Sequence, residues 1–144
     1  MRDTLNLDFD TAHPGGRRTS YFGPVPYKYG RYEHPAKAYP DSAIMRDIFE
    51  KLQALDSDIT PDTYTCLATL YGDGNVGIPQ HHDDEPEIVP GSSIYTVSFG
   101  ASRTLRVSST TGPPAEHNIL LAHGSVYSMT CLLYTSDAAD DRVS

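Results

Sequence analysis

Between Asp41 and Asp56, apolar residues fall at Ile44, Met45, Ile48, Phe49, Leu52 and Leu55, in steps of three and four that place them on one stripe of a helix. Asp41 or Ser42 can cap its start, and Asp56-Ser57-Asp58 with Pro61 ends it, so the pattern predicts one helix whose stripe packs on a sheet. After it the period changes. Short runs at about 63–71, 93–99, 102–108, 117–121 and 124–130 are rich in β-branched and aromatic residues, with turn formers such as Thr110 to Pro114 between them. In the second run Tyr95, Val97 and Phe99 alternate with Ile94, Thr96 and Ser98, the mark of a sheet with two different faces. Upstream, Pro24, Pro26, Pro35 and Pro40 hold the chain extended or looped. Residues 1–16 have no sustained period, end in His13-Pro14-Gly15-Gly16, and read as a lead-in expected to be partly disordered. One helical stripe followed by many short strands reads as α+β, mainly β, of the sandwich or jelly-roll kind. Neither repeats nor low-complexity segments interrupt it.

Composition narrows the class. A chain of 144 residues has room for one domain with a core, and no apolar run is long enough to cross a bilayer. Met1 to Asp10 alternates charged with apolar residues and lacks a signal pattern. The two cysteines, Cys66 and Cys131, exclude a disulfide scaffold, and Cys66 reads as a free thiol in a strand, which fits a reducing intracellular compartment. The net charge of -8 argues against a broad basic face for nucleic acid. Residues 14–40 depart from that balance: Arg17, Arg18, Lys28, Arg31 and Lys37 face a single acid, Glu33, and Tyr21, Phe22, Tyr27, Tyr29, Tyr32 and Tyr39 lie among them. Cations interleaved with rings suit phosphates and unstacked bases, although a tyrosine-rich surface loop has the same composition. No pattern signals an oligomer.

The densest chemistry is Gln80-His81-His82-Asp83-Asp84-Glu85, which follows a strand-like run and the turn Tyr71-Gly72-Asp73-Gly74-Asn75. In extended backbone His81 and Asp83 leave the same face, and an imidazole with a carboxylate is two thirds of the facial triad that keeps positions open on Fe(II). An H-x-D triplet alone is common in solvated acidic loops. His82 points to the opposite face. His13, His34 and His117 show no partner pattern, His123 and Arg103 read as structural, and Gly72, Gly74 and Gly100 serve backbone geometry.

Further motifs stand in order around that triplet. They are Tyr64 to Tyr71 before the turn, Ser93 to Leu105 with its Gly100-Ala101-Ser102-Arg103 step, Leu121-Ala122-His123-Gly124 leading to Met129, and Arg17 to Gly23 with Tyr27 to Gly30 upstream. Over about residues 17–130 the chain resembles the AlkB family of iron- and 2-oxoglutarate-dependent oxygenases. The resemblance implies a double-stranded β-helix, a jelly roll with an N-terminal helix packed on its sheet and iron at one open end. It further implies Fe(II) held by His81, Asp83 and a distal histidine, with 2-oxoglutarate and O2 as co-substrates. Tyr71 matches the tyrosine that touches 2-oxoglutarate, while Thr69 stands where the family has asparagine. Asp84 and Glu85 match positions that support the ligands, and Arg17, Arg18, Tyr21, Phe22, Lys28, Tyr29 and Arg31 fall in the segment that faces the nucleic acid. The activity implied is hydroxylation of an N-methyl group on a base of alkylated DNA or RNA, which then sheds formaldehyde. An oxygenase of the same fold acting on a protein or small molecule, or a non-catalytic binding module, are the alternatives.

Residues 131–144 read differently. Cys131 to Asp141 looks like the in-frame translation of a sequencing adapter rather than protein evolved for this fold. The family places its distal histidine and 2-oxoglutarate arginines beyond the methionine strand, so the domain, spanning 17–130, is expected to be incomplete at its C-terminus and inactive as it stands.

Overall fold

The computed structural model describes residues 5, 7–29, 31–78, 92–108, 116–130 and 142–143. They form a mainly β protein with one long helix, in two compact units, 1–76 and 77–144.

The lead-in supplies the first strand of unit 1. Strand β1 (Thr11–Ala12) runs antiparallel to β2 (Arg18–Phe22) through a hairpin in which the amide of His13 donates to the Arg17 carbonyl at 3.0 Å. The turn requires Gly15 and Gly16, whose φ of 91° and 100° lie in the left-handed region that L side chains avoid. On its other edge β2 pairs with β5 (Cys66–Leu70), opposing Thr19 to Thr69 and Tyr21 to Leu67, so the sheet order is β1-β2-β5. As the middle strand, β2 is buried on both faces from Thr19 to Phe22. Its polar members are satisfied there: the Thr19 hydroxyl meets Nε2 of His13 at 2.8 Å, and Lys37 Nζ donates to Ser20 Oγ at 3.0 Å. Strands β3 (Tyr27–Tyr29) and β4 (Tyr32–His34) form a separate hairpin.

Helix α1 (Ala43–Leu55) begins where the sequence predicts. Ser42 Oγ accepts from the amide of Met45 at 3.3 Å, and Asp56 closes the last turn by donating its amide to the Leu52 carbonyl. Met45 is buried. Phe49 packs edge-on to Tyr39 and Tyr64, with ring centroids 5.0 and 5.3 Å away.

Unit 2 holds two antiparallel pairs, β6 (Ser93–Val97) with β9 (Val126–Thr130) and β7 (Arg103–Ser108) with β8 (Glu116–Leu121), and short β10 (Arg142–Val143) pairs with β7. Among its described residues Val107 is the buried one. Strands β5 to β9 match the five predicted runs to within three residues at their ends, whereas β10 falls at no predicted run. No helix among the described residues is long and apolar enough to cross a membrane.

Candidate active site

Thr69 stands in β5 with its side chain partly buried, and Tyr71 follows the strand. The glycine turn after it is built on Asp73, whose Oδ1 accepts from the Asn75 amide at 2.8 Å and whose carbonyl accepts from the amide of Val76. This turn leads the chain toward His81, His82, Asp83, Asp84 and Glu85, which lie outside the described residues. Among the described residues no three His, Cys, Asp or Glu side chains gather as a metal site.

The structure sorts the remaining candidates by exposure. Arg18, Lys28 and Arg31 are exposed; Arg18 Nε donates to the Phe9 carbonyl, and the Arg31 guanidinium lies 5.7 Å from the Tyr32 ring centroid. Tyr29 pairs with Tyr32 in the β3–β4 hairpin. Arg17, Tyr21 and Phe22, expected to face nucleic acid, are instead 9, 2 and 4 % exposed. Tyr21 stacks on Tyr27 at 5.2 Å and donates its hydroxyl to the Val25 carbonyl, and Phe22 receives Lys37 Nζ over its ring at 4.8 Å. Both rings belong to the packing of unit 1, because β2 is a central strand and not a surface segment.

Lys37, the remaining cation of that stretch, is drawn inward by Ser20, Phe22 and Asp10, whose carboxylate it meets at 3.2 Å. Burial alone would raise the Asp10 carboxyl, but Lys37 and Thr11 outweigh it and hold the group below the usual range. Burial pushes the Cys66 thiol up to about 11, so this free cysteine is a poor nucleophile at neutral pH.

Two histidines that show no partner pattern in the sequence do have partners. His13, 6 % exposed, donates from or accepts at Nε2 toward Thr19, receives Arg17 Nη2 at Nδ1 over 3.5 Å, and tilts against the Tyr32 ring at 4.5 Å. His34, 7 % exposed, lies 5.8 Å from the Tyr21 ring. The visible signal was slight: His13 and Arg17 bracket a Pro-Gly-Gly turn and therefore close a hairpin together. In unit 2 His123 is occupied as well, its Nδ1 accepting from the Gly100 amide at 3.0 Å. Clefts of about 310 and 420 Å³ in unit 1 share Pro61 and Tyr64, and Arg17, Thr69 and Tyr71 line neither.

Residues 11–131 match the model of the 2OG-Fe(II) oxygenase superfamily, and the chain belongs to that superfamily. Within it the similarity is to AlkB-type proteins. The human DNA oxidative demethylase ALKBH2 is 33% identical, over 73% of this chain and 46% of the relative. The mouse alpha-ketoglutarate-dependent dioxygenase alkB homolog 3 is 27% identical, over 81% of this chain and 39% of the relative. The chain thus spans less than half the length of these two curated relatives.

The family implies Fe(II), 2-oxoglutarate and O2. The donor chemistry fits: His81 offers an imidazole and Asp83 a carboxylate, the mixed set that suits Fe(II) and leaves positions for further ligands.

Proposed function

We propose that this chain carries part of an iron- and 2-oxoglutarate-dependent centre that oxidatively demethylates alkylated bases of DNA or RNA. The carrying observation is the sequence His81-His82-Asp83-Asp84-Glu85 inside a stretch that matches the oxygenase superfamily from residue 11 to residue 131. The AlkB-type relatives, one of them named a DNA oxidative demethylase, support the substrate class. On this reading the strands belong to a double-stranded β-helix, residues 17–130 are the oxygenase domain, and 131–144 are foreign to it.

His81 and Asp83 hold the metal, and a third protein ligand completes the set. With 2-oxoglutarate and O2 bound, that centre supplies the oxidising power to hydroxylate a methyl carbon on a base nitrogen. The chain's own residues do the rest. Tyr71 and Thr69 receive the co-substrate; a threonine hydroxyl reaches less far than an amide and offers fewer donors. Asp84 and Glu85 orient the ligand side chains by hydrogen bonding. Arg18, Lys28 and Arg31, exposed on unit 1, attract phosphates.

The test is succinate and formaldehyde release from a single-stranded oligonucleotide carrying an N-methylated base, with methylated amino acids as the competing substrate. The 144-residue chain, which spans less than half of its relatives' length, should release neither product, and a chain of the relatives' full length should release both. His81→Ala and Asp83→Ala should abolish turnover, and Asp84→Asn should lower it by about 10- to 100-fold. Equal activity on methylated amino acids would refute the nucleic-acid reading. For binding, Arg18→Ala with Lys28→Ala should flatten the slope of log affinity against log salt by about 0.7 for each cation removed. An unchanged slope would take these two residues out of the interface.

A further inference from the structure

The chain of unit 1 is divided in sign. Residues 14–40 set five cations against Glu33, whereas residues 41–62, which form helix α1 and the loop after it, set Asp41, Asp47, Glu50, Asp56, Asp58 and Asp62 against Arg46 and Lys51. A segment of that second sign repels phosphates and attracts cations. Beside it lies a cleft of about 420 Å³ walled by aromatic rings.

Tyr39, Phe49 and Tyr64, each half-buried, line the cleft together; their planes stand 72, 85 and 86° apart, with centroids separated by 5.0, 5.3 and 5.7 Å. The Tyr39 hydroxyl donates to the Met45 carbonyl at 2.7 Å and so fixes its ring. Rings crossed near right angles offer a flat ligand one stacking face at most, but a cation seated beside them can lie within about 5 Å of all three centroids, inside cation–π range. The polar lining agrees. Arg46 is engaged by Asp41, and the Gln53 amide donates to the Ile59 carbonyl at 3.0 Å, which leaves Glu50, exposed on α1, to set the charge at the rim. A bare ammonium holds its water strongly, whereas methyl groups on the nitrogen spread the charge and shed water readily, so ring surface with a carboxylate favours an alkylated ammonium.

A second cleft of about 310 Å³ shares Pro61 and Tyr64 and continues along Pro24, Ala36 and Ala38; its lysine, Lys37, is held by Asp10 and Ser20. That extension gives a polypeptide somewhere to lie. We infer that this groove binds a methylated lysine presented by a polypeptide, with the methylammonium group against Tyr39, Phe49 and Tyr64 and the flanking residues along the smaller cleft.

The experiment titrates the 144-residue chain with a peptide carrying trimethyl-lysine, the same peptide carrying plain lysine, and its uncharged isostere with a tert-butyl group in place of the trimethylammonium. Calorimetry reads the affinities, and leaving out iron and 2-oxoglutarate keeps the result independent of the demethylase reading. The trimethyl-lysine peptide should bind about tenfold more tightly than the other two. Phe49→Leu keeps apolar bulk without a π face and should erase that preference. Glu50→Gln, a surface change, should weaken the trimethyl-lysine peptide about threefold and leave the isostere unchanged.

Equal binding of the isostere overturns the inference, since it marks an apolar groove indifferent to charge. So does an affinity that neither variant alters, or one that falls in Phe49→Leu together with the melting temperature while Glu50→Gln binds as wild type. Tetramethylammonium binding as tightly as the peptide overturns the assignment to a polypeptide.

Discussion

At residue scale the tightest constraint is Gly23. A Cβ built there would lie 2.0 Å from the Tyr21 hydroxyl and 2.6 Å from the ring carbon bearing it. The ring cannot swing aside cheaply, because its hydroxyl donates to the Val25 carbonyl at 2.6 Å and its face stacks on Tyr27. Gly23→Ala should therefore cost about 1–3 kcal/mol, the usual range for overpacking, measured by urea unfolding. Gly72→Ala, with nothing within 4 Å of the new carbon, is the neutral control. His13 makes a second prediction. Its pKa is 6.5 in the unfolded chain and lower in the folded one, so the folded state binds fewer protons as acid is added. The stabilisation is whole above about 6.5 and is lost as pH falls toward the folded value. Between about pH 7.5 and pH 5 the wild type should lose melting temperature more steeply than His13→Asn; parallel curves would show that His13 does not govern the acid limb.

At the scale of elements, the helix and the later strands were legible because each obeys a local rule. The stripe from Ile44 to Leu55 has a helical period, Ser42 supplies the cap, and Ser42→Ala should cost about 1 kcal/mol in the same unfolding assay. Strand β2 was not legible. Arg-Thr-Ser-Tyr-Phe looks like a polar segment facing a ligand, yet its four last residues are buried. The polar ones tolerate burial because His13 and Lys37, 6 and 17 positions away, satisfy Thr19 and Ser20. No periodicity in the chain reports a contact of that kind. The candidate site rests on the chemistry of the order His81, Asp83, Asp84, Glu85, which lie outside the described residues, whereas the placement of Arg17 inside unit 1 depends on a hairpin and its register.

At the scale of the whole molecule, stability is unevenly distributed. Tyr21, Phe22, Tyr27 and Met45 are buried in unit 1, whereas among the described residues of unit 2 only Val107 is, and Leu120 and Val126 are 66 and 48 % exposed. Opening free energy follows buried apolar contact, so amides of β2 and β5 should exchange with deuterium more slowly than those of β6 and β9. Equal rates would show a single cooperative unit. The central position of β2 also restricts how this chain can vary. A residue gained or lost within 18–22 would swap Thr19 and Tyr21 with Ser20 and Phe22 between the two faces, against partners on both neighbours. Length changes here are therefore selected against far more strongly than substitutions, and homologues should show gaps in the hairpin loop before they show any within this strand.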